Sequence, residues 1–239
     1  MVGTHRILVQ SKQVRYDFLI RRNITVISGD SATGKTTLIS MIRDFNRYEI
    51  ANIKVECDKA CVVIEGKDWE KQLLGVSDSI VFIDEGNEFI RSNDFASYVK
   101  NSDNYYVIIT RYHLNNLPYS INEIYTFRNS GKYKGTKQTY NELYHLYRKY
   151  NSVQEIKPDK IITEDSNSGY EFFKEVIGED NCESANGKDN IPYMIKKDSS
   201  DQILIVADGA AFGCLMEKRL DVYNIIRDIV YTCQNLLSG

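Results

Sequence analysis

Apolar residues in the first 110 positions fall in short continuous runs, with a helical rhythm between some of them. RILVQ (6–10) and RYDFLI (15–20) predict an opening pair of strands, and NITVISG (23–29) predicts a short strand that stops at Gly29. Leu38, Ile39, Ile42 and Phe45 then recur at the spacing of one helix face. IKVEC (53–57) and CVVIEG (61–66) predict two further strands, and residues 69–74 a short helix. In SDSIVFIDEG (77–86) four apolar residues lead into two acids, and YYVIITR (105–111) reads as another strand. Unbroken apolar runs suit parallel strands covered on both faces, which have no solvent side. Strands alternating with helices predict an α/β fold, a parallel sheet flanked by helices.

From Ile124 to Tyr150 the texture changes to alternation with two glycines and many tyrosines, which predicts a β-hairpin followed by a strand or short helix. Pro158 breaks the pattern in VQEIKPDK, so the sequence divides into 1–157 and 158–239. KIITED, SGYEFFKEVIG, NCESA, NIPYMIKK and QILIVADG then alternate again, predicting a second, smaller α/β unit that closes in a helix over 215–237.

With 239 residues, 42% hydrophobic and 26% charged, the chain has a globular composition and length enough for one large or two modest domains. No window approaches the roughly 18 uninterrupted apolar residues of a membrane helix. The first residues also lack the apolar core of a signal peptide, so a cytoplasmic location without a membrane partner is expected. Five scattered cysteines without a CxxC pair predict reduced thiols rather than a disulfide framework or zinc site. The net charge of −3 hides an asymmetry: residues 1–157 hold 22 Lys+Arg against 18 Asp+Glu, and residues 158–239 hold 8 against 15. Two units with different partners are expected from that split.

The densest chemistry lies where the third strand gives way to a helix. Gly29, Asp30, Ser31, Ala32, Thr33, Gly34, Lys35 and Thr36 fit G-x-x-x-x-G-K-[ST] at every fixed position, and Thr37 follows. Glycines let the backbone approach phosphate oxygens, and successive N–H groups at a helix start make an anion cradle. Lys35 is expected to reach the β- and γ-phosphates, and Thr36 to place its hydroxyl on Mg²⁺, which prefers oxygen ligands. The second motif, Ser79 to Glu85 (SIVFIDE), delivers Asp84 to a strand end as the outer metal carboxylate, with Glu85 beside it to polarise an attacking water.

Together these residues resemble the P-loop NTPases, in the branch with a catalytic Glu after the Walker B aspartate. The resemblance covers about residues 20–130. It implies ATP and Mg²⁺ as cofactors and a polar γ-phosphate sensor at the end of the next strand, here Thr110-Arg111. Many such ATPases work as dimers or rings, so a homo-oligomer is an implied partner state. The chain has neither an LSGGQ-like signature nor an NKxD to read guanine.

In the second half, Glu164 and Asp165 follow an apolar strand and Asp208 follows another, positions from which carboxylates converge on a divalent metal. This order resembles the Toprim domain, and the pairing of a P-loop ATPase with Toprim resembles OLD-type proteins. The D-x-D of that family would read Asp208-Gly209-Ala210 here, so its second aspartate is missing and phosphodiester cleavage is in doubt. Between the two units, Arg128, Lys132, Lys134, Lys137, Arg148 and Lys149 interleave with Tyr133, Tyr140, Tyr144, Tyr147 and Tyr150, a pattern suited either to nucleic acid or to a solvated amphipathic face. The expected function is an Mg²⁺-dependent ATPase whose cycle controls the second unit, with nucleic acid bound through 128–150. Two alternatives are a kinase transferring the γ-phosphate to a small molecule or nucleotide, and a non-hydrolysing ATP-binding switch.

Overall fold

The computed structural model describes residues 2–28, 34–48, 52–129, 138–146, 158–200, 202–207 and 230–231. The chain divides into two compact units, 1–147 and 148–239.

The first unit is built on one nine-stranded mixed sheet. Its strands are β1 (Val2–Gln10), β2 (Val14–Arg22), β3 (Ile24–Ile27), β4 (Lys54–Glu56), β5 (Cys61–Val63), β6 (Ile80–Ile83), β7 (Tyr105–Ile109), β8 (Ile124–Asn129) and β9 (Thr139–His145), in the spatial order β4-β1-β2-β9-β8-β3-β7-β6-β5. The strands β8-β3-β7-β6-β5 are mutually parallel. The expectation of a parallel sheet holds throughout this half alone: elsewhere β2 pairs with β9 in parallel, but β1 runs antiparallel to both β2 and β4, and β8 to β9. The physical reason is connection length. β1 and β2 are joined by three residues, too few for a parallel crossover, so the pair must fold back as a hairpin.

Helices cover both faces. Every residue of β3, β6 and β7 is buried, as their unbroken apolar runs predict. Because strand side chains alternate, Tyr105, Val107 and Ile109 face one layer while Tyr106 faces the other. On the first face lies α1 (Lys35–Tyr48), whose Leu38, Ile39, Met41 and Ile42 share a core with Ile7, Val9, Tyr16, Phe18, Ile27, Phe82 and Val107. Each such side chain contributes about 1.5–3 kcal/mol by leaving water. Phe45, expected on that helical face, is exposed at the helix end. On the second face, α2 (Trp69–Leu73), the short helical turn Glu88–Arg91 and α3 (Asn93–Asn101) bring Trp69, Phe89, Phe95 and Tyr98 together, with Phe95 edge-on to Tyr106. His5, which the sequence left without a role, is buried between Tyr105 and Asp58, its Nδ1 2.8 Å from the Asp58 carboxylate.

The second unit has a four-stranded parallel sheet, β11-β10-β12-β13, formed by β10 (Lys160–Thr163), β11 (Cys182–Ser184), β12 (Ile203–Val206) and β13 (Val230–Tyr231). Tyr170, Phe173 and Ile177 of α4 (Ser168–Ile177) pack on Ile161, Cys182 and Val206. The stretch predicted as strand or helix at NIPYMIKK is a helix, α5 (Ile191–Lys197), opened by a proline in its first turn where the missing N–H costs nothing. Within the helix expected over 215–237, Val230–Tyr231 form a strand paired with β12; the β-branched and aromatic pair suits a strand. Most of that segment lies outside the described residues.

At the start of β10, Lys160 bonds Asp198 at 2.5 Å and Glu183 at 2.8 Å. The ammonium and the Ser200 amide hold the Asp198 carboxyl at about 2. A carboxylate with a lowered folded value stabilises the fold above its ordinary value near 4, and the contribution is lost as pH falls towards 2. Asp198→Asn is therefore expected to cost about 1 kcal/mol at pH 7 and only a small part of that at pH 2, where half of the folded carboxyl is protonated, measured by urea unfolding of the whole chain at both values.

Candidate functional site

The strand order sets the geometry of the candidate site. Parallel strands β3, β7, β6 and β5 present their carboxyl ends along one edge, and β7 lies between β3 and β6. The exit of β3 leads to the glycine-rich stretch, β7 ends at Thr110 and Arg111, β6 at Asp84 and Glu85, and β5 runs on to Glu65. Open α/β sheets bind ligands at this edge because loops diverge there.

Gly29, Asp30, Ser31, Ala32 and Thr33 lie outside the described residues; Gly34, Lys35, Thr36 and Thr37 lie within them. Gly34 has φ +86°, a conformation side chains disfavour, and its carbonyl accepts the Leu38 N–H (3.1 Å) that closes the first turn of α1. The same carbonyl accepts from the Tyr16 hydroxyl at 2.7 Å. Lys35 is buried, whereas Thr36 and Thr37 are exposed. Thr37, in the first turn of α1, can offer an anion its backbone N–H.

Asp84 is half-buried, and that burial pushes its carboxyl above the usual range, opposed by the Glu85 N–H on Oδ1 (2.8 Å) and the Arg43 charge. A carboxylate held at a desolvation cost gains from a cation more than a solvated one does. Asn87 fixes the turn that follows: its amide donates to the Asp84 carbonyl (2.8 Å) and accepts from the Gly66 N–H (2.9 Å), tying the exit of β6 to the exit of β5. Arg43, on α1, bonds Glu65 at 2.5 Å and so links the helix to the same edge.

Glu85 and Arg111 stand on neighbouring strand ends and pair, Nε to Oε1, at 3.0 Å. Thr110 is buried and its hydroxyl accepts the Tyr112 N–H at 2.9 Å, which turns the chain out of β7. The structure thus brings Gly34, Lys35, Thr36, Asp84, Glu85, Thr110 and Arg111 to one edge. Sequence reading missed Tyr16, Asn87 and Arg43. Only Asn87, directly after the two acids and Gly86, carried a local signal.

Among the described residues no group of three or more His, Cys, Asp or Glu side chains converges as a metal site. A site made of Thr36, Asp84 and phosphate oxygens needs no such cluster, and these hard oxygen donors suit Mg²⁺. In the second unit the Glu164 N–H bonds the Val206 carbonyl (2.8 Å), so Glu164 stands beside the end of β12. Asp208 lies outside the described residues. Asp165 is committed locally: its carboxylate accepts the Gly169 N–H at 3.1 Å and its carbonyl the hydroxyls of Thr163 and Ser184.

Of the basic, tyrosine-rich segment, Arg128, Tyr140 and Tyr144 are described in full; Lys132, Tyr133, Lys134, Lys137, Tyr147, Arg148, Lys149 and Tyr150 lie outside. Residues 139–145 form a strand rather than a helix, and alternation places Tyr140, Glu142 and Tyr144 on one face. Arg15 lies 6.0 Å from the Tyr140 ring centre and Arg128 5.7 Å from that of Tyr144. Asp17 pairs with both Arg6 and Arg15 on this face, offsetting part of its positive charge.

No helix among the described residues is long and apolar enough to cross a membrane. No protein-family model matches the chain, and no curated protein matches it in sequence.

Proposed function

We propose that the chain is an Mg²⁺-dependent ATPase of the P-loop kind, with its nucleotide at the carboxyl edge of β3, β7 and β6. The observation that carries this reading is the joint placement of two motifs far apart in sequence: GxxxxGKT leads from β3 into α1, and Asp84 leaves β6 two strands away. Lys35 and the first-turn amides would neutralise phosphate, Thr36 and Asp84 would hold Mg²⁺, and Glu85 would orient water. Mg²⁺ supplies charge neutralisation on the phosphate oxygens when bound. Glu85 enters this scheme already paired with Arg111, so a phosphate able to attract the guanidinium would free the carboxylate for water.

The second unit is proposed as the partner of this cycle, Toprim-like in its parallel sheet and in the acid at the end of β10. Nucleic acid is the macromolecular partner suggested by the Arg15, Tyr140, Arg128 and Tyr144 face, through cations for phosphates and rings for bases. A reducing, ATP-supplied cytoplasm suits both the nucleotide and the free Cys57, Cys61 and Cys182.

Calorimetry with Mg·ATP, followed by a phosphate-release assay with and without DNA, tests this reading. Glu85→Gln is expected to keep the affinity and slow release by about 10²-fold, the range of a lost general base. Unchanged release would remove Glu85 from its role, and tight binding with negligible release by the wild type would favour the non-hydrolysing switch.

A further inference from the structure

We infer that Tyr16, on a strand outside the parallel half of the sheet, is a positioning residue for the phosphate-binding turn; this rests on the nucleotide reading above. Tyr16 is fully buried on β2 with its ring edge-on to Phe127, 5.4 Å between centres. The Gly34 carbonyl can only accept, so the phenol proton goes to it, at 2.7 Å. Burial raises the pKa of this phenol, and the nearby polar groups of Asn141 and Thr37 oppose that rise.

The consequence follows from the planar trans peptide. The carbonyl of Gly34 and the N–H of Lys35 belong to one rigid unit and point in opposite directions. With its carbonyl held by Tyr16 and by the Leu38 N–H, the peptide is fixed, and the Lys35 N–H is aimed back along the helix axis, out of its N-terminus. That is the direction from which an anion approaches a helix start. Asn141 comes from β9 and sits opposite Tyr16 in the strand register. The turn is thereby anchored to β2, a strand that carries none of the motif.

The inference predicts that pre-organisation, not contact with nucleotide, is what Tyr16 supplies. Tyr16→Phe keeps the buried ring and removes the hydroxyl. It is expected to weaken Mg·ATP binding on the order of tenfold, the size of one or two lost hydrogen bonds, and in the nucleotide-free protein to speed hydrogen exchange at the amides of residues 35–38. Phe127→Leu, which disturbs the same packing without touching the hydroxyl, should leave both readouts within about twofold of wild type. Equal affinity of Tyr16→Phe and wild type would overturn the role of Tyr16 and leave the nucleotide site standing. Equal weakening by Phe127→Leu would reduce Tyr16 to packing and overturn it likewise. A wild-type chain that binds no Mg·ATP would instead overturn the nucleotide reading itself.

Discussion

Replacing Asp84 by Asn is expected to lower Mg²⁺-dependent phosphate release by about 10³-fold or more while making the protein more stable. The loss follows from removing the only strand-end carboxylate assigned to the metal, whose charge stabilisation is worth several kcal/mol in the transition state. The gain follows from burial: the carboxyl of Asp84 is held above its ordinary range because desolvation penalises the charge. Asn has the same shape and can still accept the Glu85 N–H. A neutral side chain there should add on the order of 1 kcal/mol, as is common when a functional group held at a cost is removed. The sign can be checked against pH. A carboxyl with a raised folded value costs nothing below its ordinary value near 4, where it is protonated in both states. The penalty grows as pH rises through the folded value and then levels off. The stability difference between Asp84→Asn and wild type should therefore vanish near pH 3 and reach its plateau at neutral pH. A variant less stable than wild type at pH 7, or one that keeps its Mg²⁺-dependent release, would contradict this account.

Gly34→Ala should be the most damaging single methyl among the described glycines of the first unit. At φ +86° a side chain is strained wherever it stands, and here the added carbon would lie 2.7 Å from the Tyr16 hydroxyl and 3.1 Å from the Asn141 amide. Tyr16 is wedged against Phe127 and has no room to retreat. Strain and overpacking together should cost about 2–4 kcal/mol, lowering Tm by roughly 5–10 °C, and Mg·ATP affinity should fall at least about 10²-fold. Gly66→Ala separates the two causes. Gly66 has φ +82° but open space around it, so its substitution should cost only the conformational part, about 1 kcal/mol. Differential scanning calorimetry of the two variants would decide; equal losses would mean that crowding at Gly34 contributes nothing.

The parallel half of the first sheet was legible in the sequence because its strands are buried on both faces and so carry unbroken apolar runs. VISG and VFIDE could be placed at strand ends for the same reason. What the sequence could not give was the order of those strands, which depends on pairings between distant segments, nor the direction of β1 and β2, whose alternating pattern is equally compatible with either. Tyr16 illustrates the limit most clearly. In RYDFLI it is one aromatic among apolar strand residues, and nothing local marks it as the anchor of a turn 18 residues away. The Tyr140 and Tyr144 pair was ambiguous because a four-residue interval keeps two residues on one face of either a helix or a strand. The strand reading became visible only through the pairing of β9 with β8.

The interposition of β7 between β3 and β6 has a metric consequence. Adjacent strands lie about 4.8 Å apart, so the strands that lead to the threonine and the aspartate assigned to the cation run about 9.6 Å apart. Mg–O bonds measure only about 2 Å, and this ion sheds its waters reluctantly. Neither side alone furnishes a cage. The free protein is accordingly expected to be a poor chelator, with the ion arriving as a passenger on the triphosphate and the gap spanned by the cargo itself.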